Sequence, residues 1–535
     1  MNRTITISTV FEGQQPSFTF GGPGQFLTSL GIDPDVPITD TATDIKTGGA
    51  IRPVAYAKFS SSLVTAAPVA IITSPKNTLV YVVLTNGRLI SYTSSFGSET
   101  LVGTAAGSVC SGAAYYNNYI YLFGTGASAN DVSRYGPLSS GPTLVDGVWT
   151  GATLGSQTAL GTLTYPTTRH SVKYGNHTAH AHVDGKLYFC DFDNFSSTAA
   201  NRGAGLIHSI NTNFSSTEGT ANSSSAYNAL DLPWGYAPYA IESYGNSLVI
   251  AASQTTDTVL NQGKSAIFIW DTTSTSFSRA VAIPDPYTTA LKYQNGVLYG
   301  WSGNLSGGVR FWRYLGGDSI ETLKYIEEGY PPFANAVDSF GNRVVWGAFT
   351  TYPDNSASLF AYGSKSDLFP RGLHNIAISS LTATSSNGLV TAIKNAQQSS
   401  SAFPKFLIGG TDGTNFNIDK QGTTYQTHYW RSSVFNVGAR FRIKQVTMNL
   451  GQTVAANMTL VPKLYFDNES SSQTGTTINS TNYSGQVITM RSDNFSGKVE
   501  GSINFYLELK FTGTALVTVV PPIVVELEVY DNPLT

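Results

Sequence analysis

The stretch Thr289-Ala-Leu-Lys-Tyr-Gln-Asn-Gly-Val-Leu-Tyr299 joins two apolar segments through the dipeptide Asn295-Gly296. Asn and Gly tolerate the positive φ that both central positions of a type I′ turn require, so the stretch predicts a tight β-hairpin. The same arrangement recurs between residues 65 and 424. Its turns are, in chain order, Pro75-Lys-Asn-Thr78, Asn117-Asn118, Asp184-Gly185, Gly245-Asn246, Asn295-Gly296, Gly341-Asn342 and, less clearly, Asn387-Gly388.

A second pair of strands is indicated after several of these hairpins. Its apolar segments are Leu206-Ile-His-Ser-Ile210, Ala266-Ile-Phe-Ile-Trp270, Val309-Arg-Phe-Trp-Arg-Tyr314 and Leu359-Phe-Ala-Tyr362. Each unit therefore holds about four strands over roughly 40–65 residues, which is typical of a propeller blade. One four-stranded sheet cannot bury both of its faces, whereas radial stacking buries them against neighbouring sheets. The sequence predicts an all-β protein with a six- or seven-bladed β-propeller at residues 65–424.

The blade count stays open because helical periodicity competes with the strand pattern in the weakest unit. Residues 389–398 are one of two short helix candidates, and residues 319–328 are the other. Intervals between the turns are also unequal. The segment at residues 135–168 is predicted to be a loop insertion that contacts partners.

The pattern changes after residue 425. Ile503, Phe505, Leu507, Leu509 and Phe511 alternate with polar residues and are expected to face one side of a strand. Val525, Leu527 and Val529 alternate in the same way with Glu526 and Glu528. Half-buried antiparallel strands of this kind predict a C-terminal β-sandwich or jelly roll at residues 425–535.

The first 64 residues carry little periodicity. The stretch at residues 31–40 contains Pro and Asp but no core pattern. An extended N-terminal arm is predicted at residues 1–64, packed on its own propeller or on a neighbouring subunit.

Composition narrows the function classes. Charged residues are 12% of the 535 residues and the net charge is −3, so general attraction to nucleic acid or acidic lipid is not expected. The N-terminus lacks the apolar region of an export signal, and the longest apolar run, at residues 515–525, is interrupted by Pro521-Pro522. We expect a chain without a membrane span that is made in the cytoplasm. No cofactor and no enzymatic activity are expected, because no motif of nucleophilic or acid–base chemistry stands out.

Two groups of residues leave metal binding open. His180 and His182 share one face of a strand and could ligate a transition metal, although no third ligand is placed by spacing, and polar packing is the alternative. Asp33, Asp35, Asp40 and Asp44 form an acidic loop without the spacing of a calcium-binding EF-hand. Solvated turn acids, or ion pairs with another subunit, are the alternative for these four.

Four further sequence features have structural interpretations. Asp412-Gly413 resembles one Asp-box of the sialidases but occurs once, which favours an ordinary hairpin turn over a glycosidase. Trp270-Asp271 matches the WD dipeptide without its companion Gly-His or a regular period, which disfavours a WD40 protein. Cys110 and Cys190 are expected to be buried thiols. Asn-x-Ser/Thr triplets, for instance at Asn176 and Asn457, reflect composition rather than glycosylation.

The whole chain resembles virion structural proteins of tailed bacteriophages. The resemblance lies in Ile51-Arg-Pro-Val-Ala-Tyr-Ala-Lys-Phe59 before a propeller with units such as Thr85-Asn-Gly-Arg-Leu-Ile-Ser-Tyr92. Tyr429-Trp-Arg-Ser-Ser-Val-Phe-Asn-Val-Gly438 then opens a sandwich. Within that group it is similar to the propeller-bearing tail hub or nozzle proteins of short-tailed phages. The resemblance implies a six-fold ring below the portal and adaptor, through which DNA leaves the particle.

The functional expectation is therefore a virion protein of a phage tail, a nozzle or hub that forms a homo-hexameric ring. Its expected partners are copies of itself and adjacent tail proteins, the adaptor and fibres, with DNA only as passing cargo. A receptor- or glycan-binding phage protein and a head decoration protein are the alternatives. The sequence does not decide the ring order, the position in the virion or the host.

Overall fold

A computed structural model gives the fold. The structure describes residues 1–7, 13–14, 25–34, 50–59, 62–93, 98–105, 110–124, 132–145, 179–193, 204–210, 229–233, 235–254, 264–304, 308–326, 329–350, 356–363, 372–382, 388–396, 406–421, 427–467 and 470–530. Apart from short 3-10 turns such as Ala334–Ala336, their regular secondary structure consists of strands. The predicted insertion at residues 135–168 lies largely outside the described residues.

Four strands come from the first 60 residues. They are β1 (Asn2–Ile7), β2 (Gly13–Gln14), β3 (Gln25–Leu30) and β4 (Tyr56–Phe59).

The middle of the chain folds into antiparallel sheets of four consecutive strands. Blade 1 contains β5 (Pro68–Thr73), β6 (Val80–Leu84), β7 (Arg88–Tyr92) and β8 (Glu99–Thr104). Blade 2 contains β9 (Gly112–Tyr116), β10 (Tyr119–Phe123), β11 (Val132–Gly136) and β12 (Thr143–Val145). Blade 3 contains β13 (His180–Val183), β14 (Lys186–Asp193), β15 (Ala204–Ile210) and β16 (Leu230–Asp231).

Three more blades repeat this order. Blade 4 contains β17 (Tyr236–Tyr244), β18 (Ser247–Gln254), β19 (Ser265–Trp270) and β20 (Arg279–Ile283). Blade 5 contains β21 (Tyr287–Gln294), β22 (Val297–Gly303), β23 (Val309–Tyr314) and β24 (Glu321–Ile326). Blade 6 contains β25 (Val337–Phe340), β26 (Arg343–Thr350), β27 (Ser356–Gly363) and β28 (Gly372–Thr382).

A seventh blade closes the ring. Its strands β29 (Leu389–Asn395), β30 (Phe406–Thr411) and β31 (Phe416–Gln421) are completed by β4, which pairs antiparallel with β31. β29 also contacts β5 of blade 1, so the first and last blades are neighbours. The described sheets therefore form a seven-bladed β-propeller, within the predicted range of six or seven, and one blade combines strands from both ends of the propeller segment.

The hairpin turns follow the predicted chemistry with one refinement. Asn117 and Asn118 have φ of 43° and 72°, and Asn295 and Gly296 have φ of 51° and 81°, as a type I′ turn requires. Gly245 and Gly341 have positive φ, whereas the Asn residues that follow them do not. Positive φ at the first central position alone is the pattern of a type II′ turn, so these two hairpins differ from the type I′ prediction.

Three sequence predictions in the propeller are wrong. The helix candidates at residues 319–328 and 389–398 form strands β24 and β29. β29 is buried on both faces, and a short apolar run of this kind cannot be told from a helix by periodicity. The hairpin predicted around Asn387-Gly388 is also wrong, because its two strands lie in different sheets, β28 with Ile378 in blade 6 and β29 with Leu389 in blade 7. Asn387 itself lies outside the described residues.

Large apolar side chains fill the spaces between blades. Trp301 and Phe311 of blade 5 pack against Trp346 and Phe360 of blade 6, with the Phe311 and Trp346 rings stacked at 4.8 Å between centroids. All four side chains are at most 3% exposed. Full burial of rings of this size stabilises by about 1.5–3 kcal/mol each, so blade stacking is a major source of the propeller's stability.

The C-terminal segment forms a β-sandwich. Its own strands are β32 (His428–Ser432), β33 (Phe435–Asn436), β34 (Phe441–Leu450), β35 (Leu460–Phe466), β36 (Ser472–Thr474), β37 (Val487–Arg491), β38 (Glu500–Gly501), β39 (Asn504–Phe511) and β40 (Val519–Val529). One sheet has the order β1-β40-β34-β37, with β38 on β34. The other has the order β2-β3-β32-β39-β35-β36, with β33 on β39.

The predicted alternation fills the core between these sheets. Phe505, Leu507, Leu509 and Phe511 are buried in one cluster with Val525 and Leu527 of the opposite sheet. Ile503 is the exception, because it precedes β39 and is 50% exposed.

The segment predicted as an extended arm supplies strands to both modules. β1 pairs with β40, β3 pairs with β32, and β4 belongs to blade 7. A bridge between Ile51 and Val519 adds a further link to the sandwich. Ile7, Phe26, Ile32 and Ile51 of this segment are buried in the sandwich core. The short strands thus add scattered apolar residues to a core built mainly by a distant part of the chain, which explains the weak periodicity of the segment.

Candidate functional site

The first strand of each blade lines a central channel in the propeller. Successive first strands contact one another around the ring, for example β13 with β17, β17 with β21 and β29 with β5. They enclose a cavity of about 390 Å³. Its polar lining residues are Thr73, Tyr115, His180, His182, Glu242, Ser243, Lys292, Asn335, Asp338 and Lys394.

Four of these residues form a layer of alternating charge, which we call the channel charge layer: Glu242, Lys292, Asp338 and Lys394. They lie on blades 4, 5, 6 and 7, in that order. Lys292 Nζ is 3.8 Å from Glu242 Oε2, and Lys394 Nζ is 3.5 Å from Asp338 Oδ2. Opposite charges on adjacent blades make the layer neutral in sum while keeping four ionisable groups in one cavity.

Hairpin geometry places this layer. Glu242, Lys292 and Asp338 each lie three positions before the turn that begins at Gly245, Asn295 and Gly341. Because side chains alternate along a strand, equal distance from the turn sets them at one height on the same face.

Local backbone groups hold the two carboxylates. Asp338 accepts hydrogen bonds from the Ser339 amide at 2.9 Å and the Asn395 amide at 2.8 Å. Glu242 Oε1 accepts hydrogen bonds from the amide and hydroxyl of Ser243, both at 3.2 Å. Both acids thus receive donors that do not come from the lysines.

The pKa values of the Glu242–Lys292 pair reflect burial and attraction. Burial raises the pKa of Glu242, an effect that the neighbouring Lys292 ammonium partly offsets. The Glu242 carboxylate raises the pKa of Lys292, with burial acting against it and Asp338 adding to it. Lys292 is therefore the stable cation of the layer, flanked by acids on both neighbouring blades.

The two histidines singled out in the sequence lie on blade 3 in the same channel. Their ring centroids are 6.1 Å apart with an edge-to-face orientation. Burial, followed by the nearby His182, Lys394 and Lys292, lowers the pKa of His180 to about 3. Partial desolvation by the channel wall also lowers the pKa of His182, although this side chain keeps contact with solvent. Both imidazoles are neutral at neutral pH.

The histidine pair has no third ligand in the described part of the chain. There, no group of three or more His, Cys, Asp or Glu side chains is arranged to hold a metal ion. His170 and His177, from the same stretch of sequence, lie outside the described residues.

Of the four acids in the N-terminal acidic loop, the structure describes Asp33. Asp33 is 4% exposed and forms an ion pair with Arg343 of blade 6, which is 3% exposed, at 3.1 Å. Neither of the expected settings, a solvated turn or an ion pair with another subunit, describes Asp33, because its partner is in the same chain and buried. Asp35, Asp40 and Asp44 lie outside the described residues.

The remaining motifs have local roles. Asp412 turns the chain between β30 and β31 by accepting the Thr414 and Asn415 amides, which confirms the hairpin interpretation. Although partial burial acts to raise it, these bonds and the Asn415 side chain hold the pKa of Asp412 below its ordinary value. Asp271 likewise accepts the Thr273 and Ser274 amides after β19.

The two cysteines are buried, as predicted. Burial raises the pKa of the Cys110 thiol to about 12, which removes thiolate chemistry at ordinary pH.

Sequence reasoning missed the channel charge layer. The signal was available, because aligning the repeats on their turns brings Glu242, Lys292 and Asp338 into one column. Lys394 could not be found this way, since the two strands assigned to its hairpin, β28 and β29, belong to different blades.

The chain is similar to solved propeller structures at low sequence identity. The match to the RRP9 WD40 repeats covers 70% of this chain and 99% of the RRP9 chain, with 11% identity and a TM-score of 0.43. The WD40 propeller domain of Doa1 covers 69% and 97%, with 10% identity and a TM-score of 0.41. The Pan2 WD40 domain of Neurospora crassa covers 68% and 94%, with 8% identity and a TM-score of 0.40. No protein-family model and no curated protein matches the chain.

At this level of identity, the similarity to these structures bears on the fold alone and not on function. The all-β, propeller-containing architecture rests on the sheet order of the chain itself, in which consecutive strands form four-stranded blades around a ring. In the described residues, no helix is both long and apolar enough to cross a bilayer.

Proposed function

We propose that this chain is a non-enzymatic structural protein of a tailed-phage virion, a tail nozzle or hub that assembles into a homo-oligomeric ring. In this proposal the ring surrounds the DNA exit path, and adjacent tail proteins bind its loops and edges. The observation that carries it is the placement of the N-terminal strands. β1 and β3 complete sandwich sheets while β4 completes blade 7, so one short segment ties both modules together.

Buried contacts reinforce this connection and favour a mechanical role. The Asp33–Arg343 pair joins the N-terminal segment to blade 6, and Ile32 N–H donates to Asn375 O on the same blade at 2.8 Å. His428 of the sandwich contacts the Gly31 carbonyl at 3.1 Å. A segment bonded on both sides resists relative movement of propeller and sandwich, which a wall around a pressurised passage requires.

An edge suited to self-assembly also supports the proposal. β1 lies at the end of its sheet, and four of its six residues are exposed. An edge strand offers backbone donors and acceptors to another chain. Low charge agrees with a surface largely covered by neighbours in an assembly.

The proposed DNA passage belongs to the ring of subunits and not to the propeller axis. A cavity of about 390 Å³ has the size of a small-molecule pocket, and its wall carries both signs of charge. The near-neutral chain as a whole would let DNA pass without gripping it.

Two measurements test the proposal. Mass photometry of the purified full-length chain, followed by electron microscopy, should reveal closed rings. Antibody labelling of intact phage particles, with quantification of copy number, should place the chain at the tail in ring stoichiometry. A stable monomer at micromolar concentration that is absent from particles would refute the virion role. A monomer that binds glycans on an array, with binding lost on aromatic substitution, would favour the receptor-binding alternative.

A further inference from the structure

Hydrogen-bond donors and acceptors are unequally used in the channel charge layer. The acids Glu242 and Asp338 receive two hydrogen bonds each from backbone and serine donors of the layer's own strands. The lysines meet those acids only at 3.8 and 3.5 Å, longer than a normal N–H···O bond of 2.7–3.2 Å. Each ammonium carries three donors, so the cavity has donor capacity that its own acceptors do not use.

His180, on blade 3, adds a second polar group of the cavity that lacks a hydrogen-bond partner in the described part of the chain. Its Nδ1 atom is buried and makes no hydrogen bond to any described residue. A buried polar atom without a partner is destabilising, so such an atom in a native protein calls for a specific explanation. The ring is near enough to Lys292 and Lys394 to interact with both electrostatically. In the Nδ1–H tautomer it adds a donor to theirs.

We propose that the channel binds one small oxyanion, a free phosphate or the phosphate group of a small metabolite, between Lys292, Lys394 and His180. Lysine is a common phosphate ligand that acts as a point charge and needs no bidentate geometry. A cavity of about 390 Å³ holds a phosphate with room for a short organic group. His182 is exposed and marks the side from which the cavity meets solvent.

The site lies on the axis of a single propeller and is complete within one chain. The inference therefore does not depend on a virion role or on ring assembly. A bound anion would link blade 3 to blades 5 and 7 across the channel.

Isothermal titration calorimetry of the full-length chain at pH 7 tests the proposal with two probes, inorganic phosphate and glycerol 3-phosphate. One saturable site per chain is expected for at least one probe. Lys292→Met and Lys394→Met should each weaken binding by roughly tenfold or more. Glu242→Gln should strengthen binding several-fold, because it removes the carboxylate that competes for Lys292. Lys264→Met, at an exposed lysine outside the channel, is the matched control and should leave binding unchanged.

Lys292→Met is expected to weaken binding and Glu242→Gln to strengthen it. Opposite changes at two neighbouring residues separate an effect on ligand binding from a general structural effect. If Lys292→Met fails to fold, the double variant Glu242→Gln/Lys292→Met removes both members of the pair and should fold while still losing binding. Binding of phosphate alone assigns the site to the free ion, and tighter binding of glycerol 3-phosphate assigns it to a metabolite. Absence of saturable binding of either probe at about 10 mM overturns the proposal. Equal affinity of the wild type and the folded lysine variants overturns it too.

Discussion

The sandwich and the propeller channel both bury charged side chains, but they use them differently. In the sandwich, Glu508 is 1% exposed and its Oε2 atom lies 2.6 Å from Arg431 Nε and 2.5 Å from Arg431 Nη2. Lys463 lies 3.3 Å from the other oxygen, and the Arg431 guanidinium packs over the stacked rings of Tyr465 and Tyr506. We call these five residues the sandwich charge cluster. The channel charge layer has no contact between opposite charges shorter than 3.5 Å in the described residues.

The difference separates charge that holds a fold from charge that is available to a ligand. A cluster whose short hydrogen bonds already use the carboxylate oxygens, closed by aromatic rings, has little to offer an incoming group. Long pairs around a cavity keep donors unused and let solvent or a ligand compete. The distance between opposite charges, and whether their hydrogen-bonding capacity is already used, distinguish the two cases better than burial alone.

The largest effect is expected from breaking the sandwich charge cluster. Glu508→Gln leaves the Arg431 and Lys463 cations without their carboxylate in a buried setting, which should lower the free energy of unfolding by about 3–5 kcal/mol. Urea denaturation followed by circular dichroism measures this loss. Glu500→Gln is the matched control, because Glu500 meets Arg440 at 3.6 Å on the surface and should cost less than about 1 kcal/mol. Equal losses of stability in the two variants would show that the buried sandwich charge cluster holds the fold no more strongly than a surface ion pair does.

A smaller effect is expected where the sandwich meets the N-terminal segment. Gly31 has φ of +68°, and a Cβ there would lie 2.4 Å from His428 Nδ1 and 2.8 Å from Ile378 Cγ1. Gly31→Ala should therefore cost about 2–3 kcal/mol, from the left-handed backbone and the steric clash together.

The control for Gly31 is Gly185→Ala, which has φ of +70° and no atom within 4 Å of an added Cβ. It isolates the backbone cost, about 1–2 kcal/mol. Similar urea midpoints for the two alanine variants would show that the contact between His428 and Gly31 does not tie the sandwich to the propeller.

The channel charge layer should tolerate substitution better than the sandwich charge cluster. Lys292→Met removes a cation that is 24% exposed and 3.8 Å from its partner. The expected loss is about 1–2 kcal/mol, between the values for surface and buried pairs. Thermal denaturation against Lys264→Met measures it. A loss as large as that of Glu508→Gln would mean that the layer is structural and would count against the ligand site.

The sequence predicted features that depend on local patterns and missed those that depend on pairing between distant segments. Alternation along β39 and β40 placed Phe505, Leu507, Leu509, Val525 and Leu527 correctly in the core, because a half-buried strand repeats every two residues. The hairpin dipeptides predicted the blades for a similar local reason. The locations of β1, β3 and β4 were out of reach, since their partners β40, β32 and β31 are hundreds of residues away in sequence.

Only part of the candidate site could be predicted from the sequence. His180 and His182 drew attention because they share a face within one strand. The residues that give the cavity its charge lie on four different blades, and their proximity depends on ring closure. Pairing between distant segments, such as Asp33 with Arg343, is equally invisible without coordinates.

The smallest effect is expected from pH, and it tests whether the His180 imidazole is buried in the channel. The pKa of His180 is lowered to about 3 by burial, by His182 and by the two lysines, whereas an unfolded histidine titrates near 6.5. Between these values the unfolded chain binds a proton that the folded chain does not, so stability falls as pH decreases below about 6.5 and is unaffected above it. His180→Gln should remove this part of the acid sensitivity, no more than about 1.4 kcal/mol at pH 5.5, and leave stability at pH 7.5 nearly unchanged. His428, whose pKa burial lowers to about 4, acts in the same direction within the sandwich, so His180→Gln flattens the pH profile only in part. Urea midpoints measured between pH 5 and pH 8 decide the matter. A variant profile parallel to that of the wild type would mean that His180 is solvated, and the cavity would then lack one of its three proposed anion donors.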